Sequence, residues 1–450
     1  RPCCCGKNRL AGKCGGNPDE ASTGEGMVTE DFLHYIWTFK LFNTKDLNTV
    51  QNEPITILKS GQHNTDAGPD FFNAQIKIGE TIWAGNVEIH INSSDWLKHQ
   101  HQKDNAYNNV VLHVVYHYDV DIRNATGNHI PTIELKNLID TKLISNYKQL
   151  IGSKNWIACS NQIKQVDQFV LQNWLERLIF ERLERKSIEI NQTLLLNKND
   201  WEETFYQTLF KYFGLKVNSQ PFLLLAKNSP LKIIDKHKNL LSIEALLFGQ
   251  AGFLNNDVDD DYYLKLKKEY QFLSAKFNLK PLDASLWKFL RLRPANFPTL
   301  RISQLANLVA QEPRLFSKIL EINSVQEFQK LFSVTASSYW NSHYQFGNTQ
   351  KINTIKRTGK IMTDGLIVNV VVPILFVYAS SIQNDELKNK AIRFLEQLNT
   401  EKNTIILNFE KLGIKSKNAL QSQALIELKT NYCSHKKCLN CSIGSHLLKK

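Results

Sequence analysis

The sequence predicts an α/β domain, followed by a mostly helical domain and a short cysteine-rich tail. Two runs with strand-type alternation, Phe72–Ile78 and Thr81–Ile91, are separated by a tight glycine-containing turn. A third run, Asn109–Tyr118, is dense in β-branched residues, as expected of a strand that is buried on both faces. Further along the chain helix-type periodicity replaces these strand signals.

The N-terminal elements alternate between helices and strands, which is typical of an α/β unit of one domain's size. Thr29 is a suitable N-cap for the first helix, and Gly79-Glu80 suits the hairpin turn. In chain order we expect a helix at Glu30–Phe42, a strand near Ile55–Ser60, the hairpin Phe72–Ile78 and Thr81–Ile91, a polar helix at Ser94–Asp104, strands at Asn109–Tyr118 and Ile130–Leu135, and a helix at Asn137–Leu150.

The second half of the chain shows amphipathic helical patterns without a detectable repeat period. The predicted helices are Val166–Asn191, Trp201–Phe213, Leu241–Phe253, Tyr262–Phe277, Ser303–Glu312, Leu315–Leu320, Asp385–Gln397 and Thr404–Leu412. A chain of 450 residues is long enough for two or three domains. We therefore expect a leader at residues 1–26, an α/β domain at 27–150, a linker at 151–165 that contains Cys159, a helical domain at 166–430 and a tail at 431–450.

Two segments bear on targeting. Residues 1–26 have neither an apolar signal core nor a periodic pattern, and Met27 follows them, so we expect a non-native or disordered leader. The most apolar run, Gly365–Ala379, contains Asn369 and Pro373 and is shorter than the roughly 20 residues that a membrane span requires. We expect it to be a buried strand or the start of a helix, and we expect no membrane partner. The few, clustered cysteines favour a reducing cytoplasm over a disulfide scaffold.

Two acids and a histidine form a candidate metal site. In the second run Val87, Ile89 and Ile91 share one face of the strand, so Glu88 and His90 share the other. Asp70 directly precedes the first run. Mg²⁺ (or Mn²⁺) prefers oxygen ligands, typically one or two carboxylates with waters and phosphate oxygens, and phosphodiester hydrolysis uses such ions.

In this interpretation Asp70 and Glu88 bind the ion, and His90 orients or deprotonates the attacking water. Glu30 is an additional candidate. The alternative is that Asp70 belongs only to a turn and Glu88 lies on a solvated strand face.

This region, from Glu30 to Leu135, resembles the PD-(D/E)xK nuclease superfamily. Its motif is an Asp followed by Glu-x-Lys on the adjacent strand, and Pro69-Asp70 and Glu88-Ile89-His90 match it except that His90 replaces the lysine. The resemblance implies a restriction-endonuclease-like domain with a mixed sheet flanked by helices. A histidine near neutral pH is often uncharged, whereas a lysine is cationic. The replacement therefore implies either a nuclease activity with a different pH dependence or a degenerate site.

A histidine-rich stretch follows the hairpin. His101 and Asp104 are three residues apart and share a helical face, from which they can contact a phosphate or support His90. His113 and His117 lie on the next strand, where a hydrogen-bonded core histidine is the structural alternative for His113. A zinc site built from His90, His99 and His101 is a further alternative. It would indicate a zinc-dependent hydrolase of a small substrate.

The C-terminal sequence CSHKKCLNC predicts a metal site. Cys433, Cys438 and Cys441 supply three thiolates within nine residues, a spacing that in a reducing compartment indicates metal rather than disulfides. Zinc would take His435 or His446 as the fourth ligand. A [4Fe–4S] cluster would take Cys159, the remaining cysteine after the leader. Some helicase-associated and CRISPR-associated PD-(D/E)xK nucleases hold a cluster with one distant cysteine and three near the C-terminus, and this order is similar.

The charge and one basic loop suggest a nucleic-acid partner. The formal net charge is +12, which suits a polyanion. Arg291, Arg293 and Arg301 surround a proline-containing turn that suits contacts with the phosphate backbone. A packed loop between helices is the alternative interpretation.

Nearly all of the chain after Met27 resembles a bacterial family, domain of unknown function family 2851. The segments that carry this resemblance are TDAGPDFFNAQI, WAGNVEIH, HQKDNAYNNVVLHVVY and YCSHKKCLNCSIG. It supports the domain layout and implies no activity. The leading hypothesis is a metal-dependent nuclease acting on DNA. The principal alternative is a non-catalytic nucleic-acid-binding or scaffold protein on a degenerate nuclease fold.

Overall fold

The computed structural model describes residues 28–351 and 353–450, so the expected leader, with Cys3, Cys4, Cys5 and Cys14, lies outside the described residues. The chain divides into two compact units. The first combines the described residues up to Leu171 with Tyr432–Lys450, and the second is Gln172–Asn431. The first unit is α/β and the second is largely helical, which confirms the predicted fold class at this level.

The first unit is built around a six-stranded mixed sheet with the strand order β1-β3-β4-β5-β6 and β2 paired beside β3. β3 is antiparallel to both of its neighbours, β1 and β4, whereas β4, β5 and β6 run parallel. The elements are α1 (Glu30–Thr38), β1 (Ile55–Lys59), β2 (Gln62–His63), β3 (Phe71–Ile78), β4 (Thr81–Asn92), α2 (Asp95–Lys98), β5 (Val110–His117), β6 (Thr132–Glu134) and α3 (Thr141–Gly152).

The alternation along β4 separates core residues from polar residues. Val87 and Ile89 are buried in a core shared with α1 and α3, and Glu88 and His90 occupy the opposite face, as expected from the period of two. Gly85 permits a close approach to the segment around the start of β5, because a Cβ at this position would lie 2.4 Å from Val111 Cγ1 and 2.6 Å from the Asn109 carbonyl oxygen.

The predicted helix Ser94–Asp104 is broken in the structure. α2 ends at Lys98, and Gln100 takes a left-handed conformation with φ 61°, which a continuing α-helix does not permit. Two single 3₁₀ turns follow, at His101–Lys103 and Asn105–Tyr107. This break turns the chain back and brings the His99–His101 segment over β4.

The second unit consists of packed helices and one small hairpin. Its elements, with α4 crossing the boundary at residue 171, are α4 (Gln168–Leu196), α5 (Trp201–Phe213), α6 (Ser219–Asn228), α7 (Leu231–Ile234), α8 (Leu240–Gln250), α9 (Asp261–Phe277), α10 (Pro298–Gln311), α11 (Leu315–Glu321), α12 (Val325–Leu331), β7 (His343–Gln345), β8 (Asn348–Thr349), α13 (Lys360–Leu366), α14 (Val372–Ser381), α15 (Asp385–Gln397), α16 (Thr404–Lys411) and α17 (Ala419–Glu427).

The apolar run near residue 370 is helical. α13 and α14 are joined into one continuous helix by a π-helical turn at Ile367–Val371, and Pro373, which has no N–H to donate, lies just after this turn. Among the described residues Lys360–Ser381 is the one helix that is long and apolar enough to cross a membrane, and 72% of its apolar window is buried inside the protein. Buried core helices meet the same length and composition criteria.

The C-terminal segment folds with the first unit. Its helix α18 (Ser442–Leu448) packs on α3, where the Asn146 side chain donates to the Leu448 carbonyl at 3.2 Å. The Tyr35 hydroxyl lies 2.7 Å from Ser445 Oγ, and Leu448 is part of the core beneath the sheet. The tail, expected to be a separate element, is thus an integral layer of the α/β unit.

Candidate functional site

Reciprocal hydrogen bonds hold Asp70 and Glu88 together. The Asp70 N–H donates to Glu88 Oε2 at 3.1 Å, and the Ile89 N–H donates to Asp70 Oδ2 at 3.0 Å. Asp70 lies immediately before β3, and Glu88 lies on β4, its antiparallel neighbour. Each acid is therefore fixed by the backbone of the other's strand, and the two carboxylates share one location.

The carboxylate of Glu88 is almost completely buried, with 4% of the residue exposed. Burial, and then the negative charge of Asp70, raise the pKa of Glu88 to about 9. A solvated strand face would not produce this shift. The side chain is instead in a desolvated place beside a second acid, which favours proton or cation binding.

Helix α1 contributes two groups to the same place. Glu30 lies in its first turn, and both burial and the charge of Asp70 raise the pKa of Glu30. One turn further, His34 Nε2 lies 3.2 Å from Asp70 Oδ2. Although burial opposes protonation of His34, the hydrogen bond and the charge of Asp70 raise its pKa. Sequence reasoning missed His34, although its spacing of four residues from Glu30 puts both on one helix face.

His90 is a buried imidazole held by another imidazole. Its Nδ1 lies 2.8 Å from Nε2 of His113, on the parallel strand β5. Its Nε2 lies 3.2 Å from His99 Nδ1 and 3.5 Å from Glu88 Oε1. Burial and the neighbouring histidines lower the pKa of His90, and burial lowers the pKa of His113 to about 3. Both rings are therefore neutral at physiological pH.

His101 completes the cluster. Its Nε2 lies 3.3 Å from Glu88 Oε1, and its ring stacks on Tyr107 with centroids 3.8 Å apart. Burial lowers the pKa of His101. The ligand atoms of His90, His99 and His101 all lie within 4.8 Å of one another. Within residues 28–351 and 353–450, this is the one set of three or more His, Cys, Asp or Glu residues that meets this criterion.

Two of the sequence-predicted polar residues lie outside this cluster. Asp104 is exposed, and its carboxylate caps the 3₁₀ turn that follows by accepting from the Ala106 N–H. The expectation that Asp104 supports His90 is therefore wrong, because the helix on which Asp104 was predicted to share a face with His101 is broken. His117 is exposed at the end of β5 and pairs with Glu134 at 3.3 Å.

Within the described chain, Cys159, Cys433, Cys438 and Cys441 are not joined in disulfides. Cys441 is buried, and burial, together with the thiols of Cys441 and Cys438, raises the pKa of Cys159 to about 12. A tetrahedral zinc ion, with Zn–S bonds of about 2.3 Å, spaces its thiolates about 3.8 Å apart. No three of the four described cysteines have all their sulfurs within 4.8 Å, so they do not form one face of such a tetrahedron.

The two candidate histidine ligands of the tail differ in burial. His435 is exposed. In contrast, the Nε2 atom of His446 is buried and has no hydrogen-bond partner within the described chain.

The three arginines of the basic loop differ in exposure. Arg291 and Arg293 are exposed. Arg301 is 6% exposed, and its guanidinium donates to Asn296 Oδ1 at 2.7 Å and to Gln304 Oε1 at 2.9 Å. The prediction of a phosphate contact is therefore wrong for Arg301, since α10 begins at Pro298 and turns this residue into the core.

Comparison with curated proteins and with solved structures returned no match. A protein-family model does match, over residues 30–404, which is more than half of the chain. The matched region includes the Asp70, Glu88 and histidine cluster, and it ends before the cysteine-rich tail. The chain belongs to the family described as protein of unknown function (DUF2851).

Proposed function

We propose that this protein is a metal-dependent nuclease that hydrolyses phosphodiester bonds in DNA. The observation that carries the proposal is the enforced proximity of Asp70 and Glu88, each hydrogen-bonded to the other's strand, with Glu88 buried. Two carboxylates in a desolvated place repel each other. A divalent cation between them removes this cost, and carboxylate oxygens are the ligands that Mg²⁺ and Mn²⁺ prefer.

The surrounding residues suit hydrolysis. A bound Mg²⁺ would polarise the phosphate and acidify a water molecule. His34 orients Asp70 through its contact at 3.2 Å. His90 is neutral and faces Glu88, so its Nε2 is able to accept a hydrogen bond from the attacking water and orient it, while His113 fixes the orientation of the ring.

The resemblance to PD-(D/E)xK nucleases is consistent with this arrangement. An acid before one strand and an acid-x-base pair on the adjacent strand of a mixed sheet form the layout that the resemblance implies. The departure is His90 in the lysine position. A neutral imidazole does not stabilise an anionic nucleophile as an ammonium group does, and this feature favours the alternative of a non-catalytic nucleic-acid-binding or scaffold protein on a degenerate nuclease fold.

The proposed substrate is DNA, single-stranded or branched, in the cytoplasm. The support is the formal net charge of +12 and the exposure of Arg291 and Arg293 in the second unit. Charge of this sign attracts the phosphate backbone without reading its sequence.

We also propose that Cys159, Cys433, Cys438 and Cys441 hold a structural metal group that fastens the tail to the α/β unit. The proximity of the thiols of Cys159, Cys438 and Cys441 supports a shared site. A [4Fe–4S] cluster is favoured over zinc, because each thiolate binds a different iron of the cluster and the sulfurs lie further apart than around one zinc ion. Iron content and visible absorption of anaerobically purified protein, compared with those of Cys438→Ser, test this assignment.

The test of the nuclease proposal is cleavage of single-stranded, duplex and branched DNA with Mg²⁺ or Mn²⁺. We expect Glu88→Gln to lose at least about 100-fold of the activity, since even outer-shell partners of metal ligands are worth 10–100-fold. Glu134→Gln is the matched control, because Glu134 lies on β6 outside the cluster. Equal cleavage by Glu88→Gln and wild type would overturn the proposal, and binding without cleavage would favour the scaffold alternative.

A further inference from the structure

The three histidines near Glu88 present their ring nitrogens to one small volume. His90 Nε2 and His99 Nδ1 are 3.2 Å apart, and the ligand atoms of His90, His99 and His101 all lie within 4.8 Å of one another. The three residues come from β4 and from the broken segment after α2. The break at Gln100 is what brings the second and third rings to the first.

The spacings match those around a bound transition-metal ion. A tetrahedral ion with bonds of about 2.0–2.1 Å to nitrogen or oxygen spaces its ligand atoms about 3.3–3.4 Å apart. The observed separations are 3.2 Å between His90 and His99, 3.5 Å between His90 Nε2 and Glu88 Oε1, and 3.3 Å between His101 Nε2 and Glu88 Oε1. The remaining separations among the three rings are within 4.8 Å, so a small movement of a ring would complete the site.

Hydrogen bonding within the described residues leaves a ligand atom unused. The Nε2 atom of His101 is buried, has no hydrogen-bond partner in that part of the chain, and has Glu88 Oε1 as its polar neighbour. A buried polar atom of this kind costs free energy unless a ligand satisfies it.

The outer surroundings fix the rings in position. His90 is held through Nδ1 by His113, which leaves Nε2 free to face the cluster. The His101 ring is stacked on Tyr107 and lies edge-on to Trp96 at 5.4 Å between centroids. A second imidazole behind a ligating histidine is the kind of partner that selects the tautomer and orientation of metal ligands.

We propose that His90, His99 and His101 bind a transition-metal ion of the zinc class, with Glu88 beside it. Three protein nitrogens and an open position are the arrangement of catalytic rather than structural zinc sites. This inference rests on the proposed function and extends it to a second metal ion. Glu88 would lie between the Mg²⁺ or Mn²⁺ ion that it shares with Asp70 and the zinc-class ion that the three histidines bind. His90 would then act as a ligand rather than as the residue that orients the attacking water.

The test is a titration of the metal-free full chain with Co²⁺, followed by visible absorption. Co²⁺ bound by nitrogen and oxygen shows d–d bands without the near-ultraviolet thiolate charge-transfer band that the cysteines would produce. We expect His99→Ala to weaken this nitrogen-type binding at least about tenfold. His99 is exposed, so its replacement leaves the fold intact, and the exposed His117→Ala is the matched control with unchanged binding.

His101→Ala is a second variant and should also lose the nitrogen-type bands. Identical Co²⁺ spectra for wild type, His99→Ala and His101→Ala would overturn the proposal. Because binding is measured without DNA, the two proposals fail separately. Nitrogen-type binding without any DNA cleavage would refute only the nuclease function, and Mg²⁺-dependent cleavage without nitrogen-type Co²⁺ binding would refute only the histidine site.

Discussion

The two units differ in how they accommodate buried ionisable groups. In the helical unit, Glu244 and Arg301 are held by neutral hydrogen-bonding side chains. Glu244 accepts hydrogen bonds from Ser303 and from Tyr262, and Arg301 donates to two side-chain carbonyl groups. In the α/β unit, by contrast, Glu88 lies beside a second acid, and His90 lies among other histidines.

This difference distinguishes buried groups that stabilise the fold from buried groups that form a binding or catalytic site. A buried group that is fully hydrogen-bonded contributes to a unique packed core, whereas groups of one kind gathered at one place cost stability and are characteristic of active or binding sites. The comparison therefore predicts opposite effects for similar substitutions in the two units.

The largest contrast is expected between Glu244→Gln and Glu88→Gln. The first removes the charged acceptor of two hydroxyl groups and should lower the free energy of unfolding by about 1–3 kcal/mol. The second removes a carboxyl group whose ionisation is opposed in the folded state by burial and by Asp70, so we expect an unchanged or raised stability of the metal-free protein. Denaturant unfolding measures both, and a larger loss in Glu88→Gln would contradict the comparison.

A second contrast concerns two buried histidines. His113→Phe removes the group that orients His90, and we expect metal affinity to fall about 10–100-fold with little loss of stability. His343 in the helical unit bonds the Tyr339 carbonyl and Thr349, each at 2.9 Å. His343→Phe should lower stability and leave metal affinity unchanged, which calorimetric titration and thermal unfolding will distinguish.

The pH dependence of the metal-free protein should have a maximum near pH 6.5. Burial lowers the pKa of His90 and lowers the pKa of His113 to about 3, so the unfolded state binds more protons at both groups below pH 6.5. Their combined contribution exceeds the opposite contribution of Glu88, and stability rises with pH in that range. Because the pKa of Glu88 is raised to about 9, the folded state retains a proton above pH 4.5, so Glu88 lowers stability as pH rises toward 9.

Above pH 6.5 we expect the free energy of unfolding to fall by less than about 1.4 kcal/mol per pH unit. Glu88→Gln should remove this decline and keep the rise at lower pH. Unfolding curves between pH 5 and 8.5 test the assignment, and a decline that persists in Glu88→Gln would show that another group causes it.

The smallest effect is expected at the exposed arginines of the helical unit. Replacing both Arg291 and Arg293 by glutamine should weaken DNA binding a few-fold and reduce the slope of log affinity against log salt by about 1 for each lost phosphate contact. Lys318→Gln, which alters an exposed lysine paired with Glu321, is the control. An unchanged salt slope in the double variant would exclude this loop from the interface.

The sequence was informative where the relevant order is local. The period of two along β4 is sufficient to put Glu88 and His90 on one face, and the turn at Gly79 is sufficient to bring β3 beside β4. Periodicity likewise predicted Trp201–Phe213 and Asp385–Gln397 with the bounds that the structure has.

The remaining features depend on contacts between distant segments. His113 reaches His90 only because β5 pairs in parallel with β4, and a parallel connection leaves no short-range signal of its register. The burial of Arg301 depends on how α10 packs, and helix propensity does not reveal this. The docking of α18 on α3 joins residues about 300 positions apart.

Thermal unfolding of the metal-free protein with and without Mn²⁺ measures whether the cluster around Glu88 binds a divalent cation. A ligand that binds only the folded state raises the unfolding temperature, and at about 100 times its dissociation constant we expect a rise of roughly 5 °C or more. We expect this rise in unfolding temperature in wild type and in Glu134→Gln, and no such rise in Glu88→Gln. An equal rise in all three proteins, or no rise in wild type, would contradict it.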